Sequence, residues 1–436
     1  MGTSSLTSPD SEVEAESTSE SDLDAARESR GWLKALLHID GFLGRVDGKL
    51  LALAMICCAG FASLDFVLRN FGLASSPWFD RIPKYCTLAI AMLGASLATR
   101  QGNHIAIDIV HRFAPPKLGA WFRAISDSAI CIICMYLAYA SFEFLEGEFE
   151  AGAKELEVLP TWTIAALIVW GFAFCAWRFA LRAMRFRPWL GLCFFFAAVA
   201  GSLPNAVDWF PERYPDAERA LDLITPLSDF AFAYMPWVAG LVILVGFLTG
   251  MPLFGVLGGI AMLGFWVAES PIAAVPPSVY QLLDAPALVT LPLFTLMGAV
   301  LAKGDAPARL VRVARAWLGW APGGLAVAAV VVCAFFTTFS GASGVTILAL
   351  GVLLHQMLSE EGYSENTSLG LVTASGSIGL LFAPALPLIM YGIFAKVDID
   401  HMFLAGILPG CLLILAVAGT GVALGRRSKL NTHPFE

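Results

Sequence analysis

The chain alternates long apolar runs with short polar segments. Runs with helical character fall at about 50–68, 85–99, 119–142 and 161–181. Others follow near 190–203, 229–249, 252–268, 288–301, 323–358, 369–394 and 402–424. A helix needs about 20 apolar residues to cross the hydrocarbon core, so the pattern predicts a polytopic, all-α membrane protein. Two runs are interrupted internally, at 339–344 and at 383–387. A break in hydrocarbon frees backbone N–H and C=O groups that lipid cannot satisfy, so it is tolerated only inside protein or beside a watery cavity. Two broken apolar helices in one module are the sequence sign of a secondary-transporter site near the bilayer midplane.

The first break reads Phe339-Ser340-Gly341-Ala342-Ser343-Gly344, and no Asp, Glu, Lys or Arg occurs from 323 to 358. It predicts a helical hairpin. The first arm ends near Ser340 with unpaired carbonyls and the negative end of a helix dipole, suited to a small cation. The second arm starts near Ser343, an expected N-cap, with free N–H groups that favour an anion. Thr337, Thr338, Ser340, Ser343 and Thr346 add neutral oxygens suited to sodium around the Gly341 break. At the second break, Pro384 and Pro387 lack N–H donors, which frees the carbonyls of Leu380 and Ala383. Upstream of Pro384, Thr373, Ser375, Gly376 and Ser377 supply more hydroxyls and a flexible glycine. A glycine-rich packing contact and a simple proline kink are the bland alternatives.

Composition agrees with the pattern. Residues are 58% hydrophobic and 14% charged, with a mean hydropathy of +0.73. The net charge of −8 is concentrated in residues 1–30, which hold eight acids against two arginines. They read as a disordered cytoplasmic tail. No nucleic-acid surface is indicated. By the positive-inside rule, the basic residues that follow the second helix (Arg100, Arg112, Lys117, Arg123), those that end the fourth (Arg178, Arg182, Arg185, Arg187), and the exits at 303–315 and 426–429 place both termini in the cytoplasm. The acidic 143–157 loop and the acidic loop near 208–222 then face outward. The segments are expected to be a tail (1–30), a four-helix module (31–188) led by a basic amphipathic stretch (31–49), a connecting helix and outer loop (189–227), and a transport module (228–436).

Other chemistry is weaker. His104, Asp108 and His111 share a face if 102–113 is helical, so an intramembrane metalloenzyme is a rival reading, although a closed zinc site normally has four ligands. An interfacial helix with its polar face toward water is the plainer expectation. Cys131 and Cys134 have redox spacing but lie in an apolar run, where cysteine acts as a small hydrophobe. Gly94-Ala95-Ser96-Leu97-Ala98-Thr99 resembles the hairpin tip, yet it leads into Arg100-Gln101-Gly102-Asn103-His104 rather than a second apolar arm.

The motifs LGASLATRQGNHIAIDIV (93–110), LPLFTLMGAVL (291–301), LGWAPGGLA (318–326), FFTTFSGASGVTILALG (335–351), TASGSIGLLFAP (373–384) and FLAGILPG (403–410) together resemble the tripartite ATP-independent periplasmic (TRAP) transporters. The similarity is to a fused small (DctQ-like) and large (DctM-like) permease subunit. It implies a four-helix small module followed by one repeat of an elevator-type ion transporter, with a helical hairpin and a Pro-broken helix. It implies no enzyme. The implied activity is sodium-coupled import of a carboxylate, of the sialic acid or dicarboxylate class, across a bacterial inner membrane, with sodium as coupling ion and no other cofactor. A periplasmic substrate-binding protein is the implied partner, and the matching positions imply a sodium and substrate site lined by Ser340, Gly341, Ser343 and Thr346 at the hairpin tip and by Gly376, Ser377 and Pro384 at the broken helix.

Relatives carry Pro-Pro-Ser where Ala383-Pro384-Ala385 stands here. The resemblance also implies an inverted second half of the large subunit. That half is expected from a separate chain, or its loss would make this chain a truncated, non-transporting membrane scaffold.

Overall fold

The computed structural model describes residues 31–73, 76–108, 115–155, 159–186, 236–268, 270, 272–283, 285–321, 323–341 and 343–427. Among them, seven helices are long and apolar enough to cross a bilayer. The protein is an all-α, multi-pass membrane protein, and its few strands are two to four residues long. The expected helix and acidic loop within 189–227 lie outside the described residues.

The described residues form two compact units. The first comprises the chain to residue 57 and 88–281, and the second 58–87 and 282–436. Helix α1 runs unbroken over Gly31–Asn70, so the basic lead is part of the first span rather than a separate surface segment. Helix α2 covers Pro77–Gln101, α3 covers Pro116–Ala151 and α4 covers Trp162–Phe186. Pro115 and Pro116 start α3, and Gly152 ends it in the left-handed conformation at φ 61°. Both follow the usual asymmetry of proline at the start and glycine at the end. Helices α3 and α4 pack along their length around Ile130, Cys131, Cys134, Cys175 and Phe179, all buried and apolar in context. Cys131 and Cys134 are free thiols acting as core filling.

One side chain in this unit departs from the sequence reading. Arg178 was expected among the cytoplasmic charges at a helix end, but it lies inside α4 and is buried. Its Nε donates to Asp40 Oδ1 at 2.9 Å, its Nη2 to Asp47 Oδ2 at 2.7 Å and its Nη1 to Ser96 Oγ at 2.6 Å. Arg100 Nε donates to the other oxygen of Asp40 at 3.1 Å. Asp40 and Asp47 are seven residues apart on α1, two turns along one face, so they present two carboxylates to one guanidinium. Arg182 Nε lies 3.4 Å from the buried Asp127 Oδ2 on α3. An isolated charge in such a place costs several kcal/mol, and these groups persist because they are paired.

The segment after α2 is the second correction. Residues 106–108 are not helical but form strand β1 (Ala106–Asp108). Strands β2 (Lys154–Glu155) and β3 (Leu159–Pro160) pair across the loop between α3 and α4. Helix α5 (Pro236–Leu248) leads into β4 (Thr249–Pro252), which pairs antiparallel with β1, Ala106 opposite Pro252. The link between α5 and α6 is therefore a short bulged strand, with Gly250 left-handed at φ 88°. Leu253 N donates to Ile105 O at 2.9 Å, and Ser126 Oγ lies 3.1 Å from Thr249 Oγ1. Helix α6 (Leu253–Val267) and the short helix α7 (Val275–Leu282) complete this unit.

In the second unit, α8 (Thr290–Lys303) and α9 (Ala306–Leu318) precede the interrupted run. Helix α10 (Gly324–Ser340) and α11 (Ser343–Glu361) are the hairpin arms. Helix α12 (Glu365–Ser375), a 3-10 turn (Ile378–Leu381) and α13 (Leu386–Ala395) form the second interrupted helix. Helix α14 (Ile399–Arg427) closes the described chain. The core lies between α10, α11, α12 and α14, around Leu325, Val330, Cys333, Leu350, Leu354 and Leu358. The second interruption starts at Gly376, well before the prolines. Pro387 sits in the first turn of α13, where its missing N–H leaves no ladder bond unmade.

Candidate functional site

The hairpin tip is set by glycine. Gly341 ends α10 at φ 68° with its N–H donating to Thr337 O at 2.9 Å, a left-handed cap that lets the chain reverse at once. Ser343 is the first residue of α11 rather than its cap. A side chain at Gly341 would meet Leu386 Cδ1 at 2.3 Å, so the tip lies against the start of α13. On another side, a Cβ at Gly298 of α8 would meet the Ser340 Cα at 2.6 Å. A Cβ at Gly379 would meet Ala334 O at 2.1 Å and Thr337 Cβ at 2.6 Å. Glycine at 298 and 379 allows backbone to approach backbone around the end of α10, and glycine at 341 leaves room for the Leu386 side chain.

That approach brings the two interruptions together. Thr337 Oγ1 lies 2.7 Å from Cys333 O, 2.8 Å from Thr346 Oγ1 and 3.0 Å from Gly376 O. Ser340 Oγ lies 2.9 Å from Thr346 Oγ1 and 3.4 Å from Thr337 O. Beside this cluster, Thr338 Oγ1 reaches Ala334 O at 2.8 Å and Gly379 O at 3.2 Å. Thr337, Ser340 and Thr346 are buried. Three hydroxyls and the carbonyls of Cys333, Thr337 and Gly376 thus converge within hydrogen-bond distance. These neutral oxygens are a donor set that fits a small hard cation. No Asp, Glu, Lys or Arg lies on α10.

Of the residues expected from sequence, the structure brings Ser340, Thr346 and the Gly376 carbonyl together, with Gly341 shaping the turn. Ser343 is half-buried on α11, Ser377 is exposed, and Pro384 is half-buried ahead of α13. The cluster is built without their side chains. Thr337, one neutral oxygen among five in the sequence reading and absent from the set that the resemblance implies, is the hub. Its signal was available: a hydroxyl three residues before Ser340 faces the same side of a helix.

The metal reading of His104, Asp108 and His111 is not supported. The backbone over 106–108 is extended, so helical spacing does not align them, and His111 lies outside the described residues. His104 Nε2 instead lies 2.8 Å from Thr99 Oγ1, with its ring against Phe179 and Phe254. Burial, and then the neighbouring Arg182 guanidinium, hold its pKa below the usual histidine value. Among the described residues, no group of three or more His, Cys, Asp or Glu side chains is arranged to hold a metal ion.

Comparison with known proteins matches residues 58–188 to the DctQ component, and residues 240–435 to the DctM component, of tripartite ATP-independent periplasmic transporters. The chain belongs to the TRAP transporter family. It is 25% identical over 393 residues to the isethionate TRAP transporter permease protein DctMQ of Oleidesulfovibrio alaskensis, covering 89% of this chain and 58% of that protein. It is 24% identical over 395 residues to the sialic acid TRAP transporter permease protein SiaT of Haemophilus influenzae, covering 88% of this chain and 62% of that one. The C4-dicarboxylate TRAP transporter large permease protein DctM of Vibrio cholerae is 30% identical over 190 residues, 43% of this chain and 42% of that protein. The chain thus spans about three fifths of the fused TRAP permeases that it matches. TRAP permeases are transporters rather than enzymes, and the hairpin and the interrupted helix both fall inside the DctM match.

Proposed function

We propose that this protein is the membrane permease component of a TRAP-type secondary transporter in a bacterial inner membrane, with both termini cytoplasmic. It imports a small carboxylate coupled to sodium and receives it from a periplasmic substrate-binding protein. One observation carries the reading. The Thr337, Ser340 and Thr346 hydroxyls, on the two hairpin arms, meet the Gly376 carbonyl at the second interruption. Broken helices that offer carbonyls and hydroxyls at one point suit a coupling ion. The substrate's negative charge is then balanced by the ion and by the helix start at Ser343 rather than by an arginine. The named substrates of the relatives differ (isethionate, sialic acid, C4-dicarboxylate), and the carboxylate class is retained here because two of the three are carboxylates.

The test is uptake into proteoliposomes that hold the full chain, a binding protein from the same operon and a chain supplying the remainder of a large component. Sialic acid, a C4-dicarboxylate and isethionate are offered with and without a sodium gradient. Sodium-dependent accumulation of one carboxylate is the expected result. Uptake indifferent to sodium would remove the ion assignment. Failure of every combination would favour a non-transporting scaffold.

A further inference from the structure

Helix α9 (Ala306–Leu318) has 13 residues. At 1.5 Å per residue it is about 20 Å long, too short to cross a bilayer core of about 30 Å. One face belongs to the protein: Pro307 and Val311 are buried, and Leu310 and Ala314 pack against the hairpin core. The opposite face is divided along its length. Arg309 and Arg312 are exposed on one flank. Val313 and Trp317 are exposed on the other, Trp317 at 75%, and Trp320 just beyond the helix is 56% exposed. Trp320 Nε1 donates to Trp317 O at 2.8 Å, so that indole already has its polar partner.

We propose that this face of α9 is a binding surface for anionic phospholipid headgroups, with its arginines on the phosphates and its tryptophans at the acyl boundary. Charge complementarity selects this occupant. Residues 303–320 hold Lys303, Arg309, Arg312 and Arg315 against Asp305 alone. The internal ion pairs of the arginines are long and exposed: Arg309 Nη2 to Asp305 Oδ2 is 3.7 Å, and Arg315 Nη1 to Glu360 Oε2 is 3.4 Å. Pairs of that kind hold their partners weakly, which leaves the guanidinium forks available to phosphate oxygens. Arg309 and Arg312 are three residues apart and lie within reach of one headgroup. A basic flank beside an aromatic one is the composition of a helix lying in the membrane interface, and tryptophan concentrates at that depth.

The surface is joined to the candidate site by a short, tight link. A Cβ at Gly324, the first residue of α10, would collide with the carbonyl of Leu318 at the end of α9, and one at Gly319 would lie 3.5 Å from Leu325 Cδ2 of α10. Gly323 between them is left-handed at φ 77°. The end of α9 is thus packed directly on the base of α10, so lipid held on α9 bears on the base of the hairpin. This inference does not depend on the transport reading.

The experiment uses the full chain in nanodiscs of phosphatidylcholine with increasing phosphatidylglycerol, reading the melting temperature. Each basic residue near an anionic surface contributes about five-fold in affinity. The double variant Arg309→Gln/Arg312→Gln should therefore lose most of the phosphatidylglycerol-dependent rise in Tm that the unaltered chain shows, whereas Arg309→Lys/Arg312→Lys should keep it. Lipids brominated high in the acyl chain should quench a share of the tryptophan fluorescence that Trp317→Phe removes. Inorganic phosphate added to pure phosphatidylcholine discs should not reproduce the rise. Equal responses of the glutamine and unaltered chains would overturn the inference, as would bromolipid quenching that Trp317→Phe leaves unchanged or a response to phosphate alone.

Discussion

Arg178 Nη2 donates to Asp47 Oδ2 at 2.7 Å, and both side chains are 1% exposed. The pair joins α4 to α1 across 131 residues of sequence. Removal of one partner of such a pair leaves an uncompensated charge. Arg178→Ala should therefore destabilise the first unit by about 3–5 kcal/mol, read as a fall in Tm in detergent or nanodiscs. Arg178→Lys should rescue only part of the loss, because an ammonium cannot serve Asp40, Asp47 and Ser96 in one plane. Arg178→Met combined with Asp40→Asn and Asp47→Asn should recover more stability than Arg178→Ala.

At the hairpin tip, Thr346→Val keeps the side-chain volume but removes the oxygen that faces both Thr337 and Ser340. It should raise the sodium concentration for half-maximal uptake at least ten-fold, equivalent to about 1.4 kcal/mol. Ser340→Ala should act in the same direction. Ser343→Ala, outside the cluster, should change it much less. Unaltered sodium dependence in Thr346→Val and Ser340→Ala would show that the cluster is structural.

The glycines separate into those that need to be glycine and those that do not. Gly379→Ala drives a Cβ into the Ala334 carbonyl, and Gly341→Ala adds backbone strain at φ 68° to a clash with Leu386. Each should lower stability by about 1–3 kcal/mol. At Gly344, within α11, an added Cβ meets nothing within 4 Å, and alanine favours the helix by up to about 1 kcal/mol. Gly344→Ala should therefore leave Tm unchanged or raise it. Thermal scans of the three variants decide the matter.

His104 gives a pH dependence with a defined sign. Its folded pKa is depressed below the unfolded value of about 6.5, by burial first and by Arg182 second. The unfolded chain therefore binds the proton more readily, and stability falls as pH drops below that value. The loss levels off once the pH is below the folded pKa. Between pH 7.5 and 5, the unaltered chain should lose more Tm than His104→Gln. Parallel curves would show that the imidazole is not the titrating group.

Legibility in the sequence followed how local each signal was. The hairpin was legible because Ser340, Gly341 and Gly344 interrupt an apolar run within a few residues, and the helix ends follow from that chemistry. The clustering of Ser340 and Thr346 with the Gly376 carbonyl could be stated only as two neighbouring breaks, since Thr337 and Gly376 are 39 residues apart. Arg178 was misread because the positive-inside rule counts charges near helix ends and is blind to which face they occupy. Nothing local to Arg178 announces Asp40 and Asp47, which sat in a stretch that looked like a surface helix. The strand at 106–108 was missed because its pairing partner is 249–252, far along the chain and without alternation of its own. The second interruption was placed late because proline is the loudest breaker in a sequence. The backbone leaves the helix earlier, at Gly376 and Ser377, where the 3-10 turn lets Gly379 meet α10.

The absence of Asp, Glu, Lys and Arg from the hairpin arm α10 and from the hydroxyl cluster has an electrical consequence. If this element shifts across the membrane, it carries no fixed charge of its own through the field. The transient charge movement recorded before steady turnover then reports bound cargo, coupling ions less substrate charge, with no side-chain charge contributed by α10.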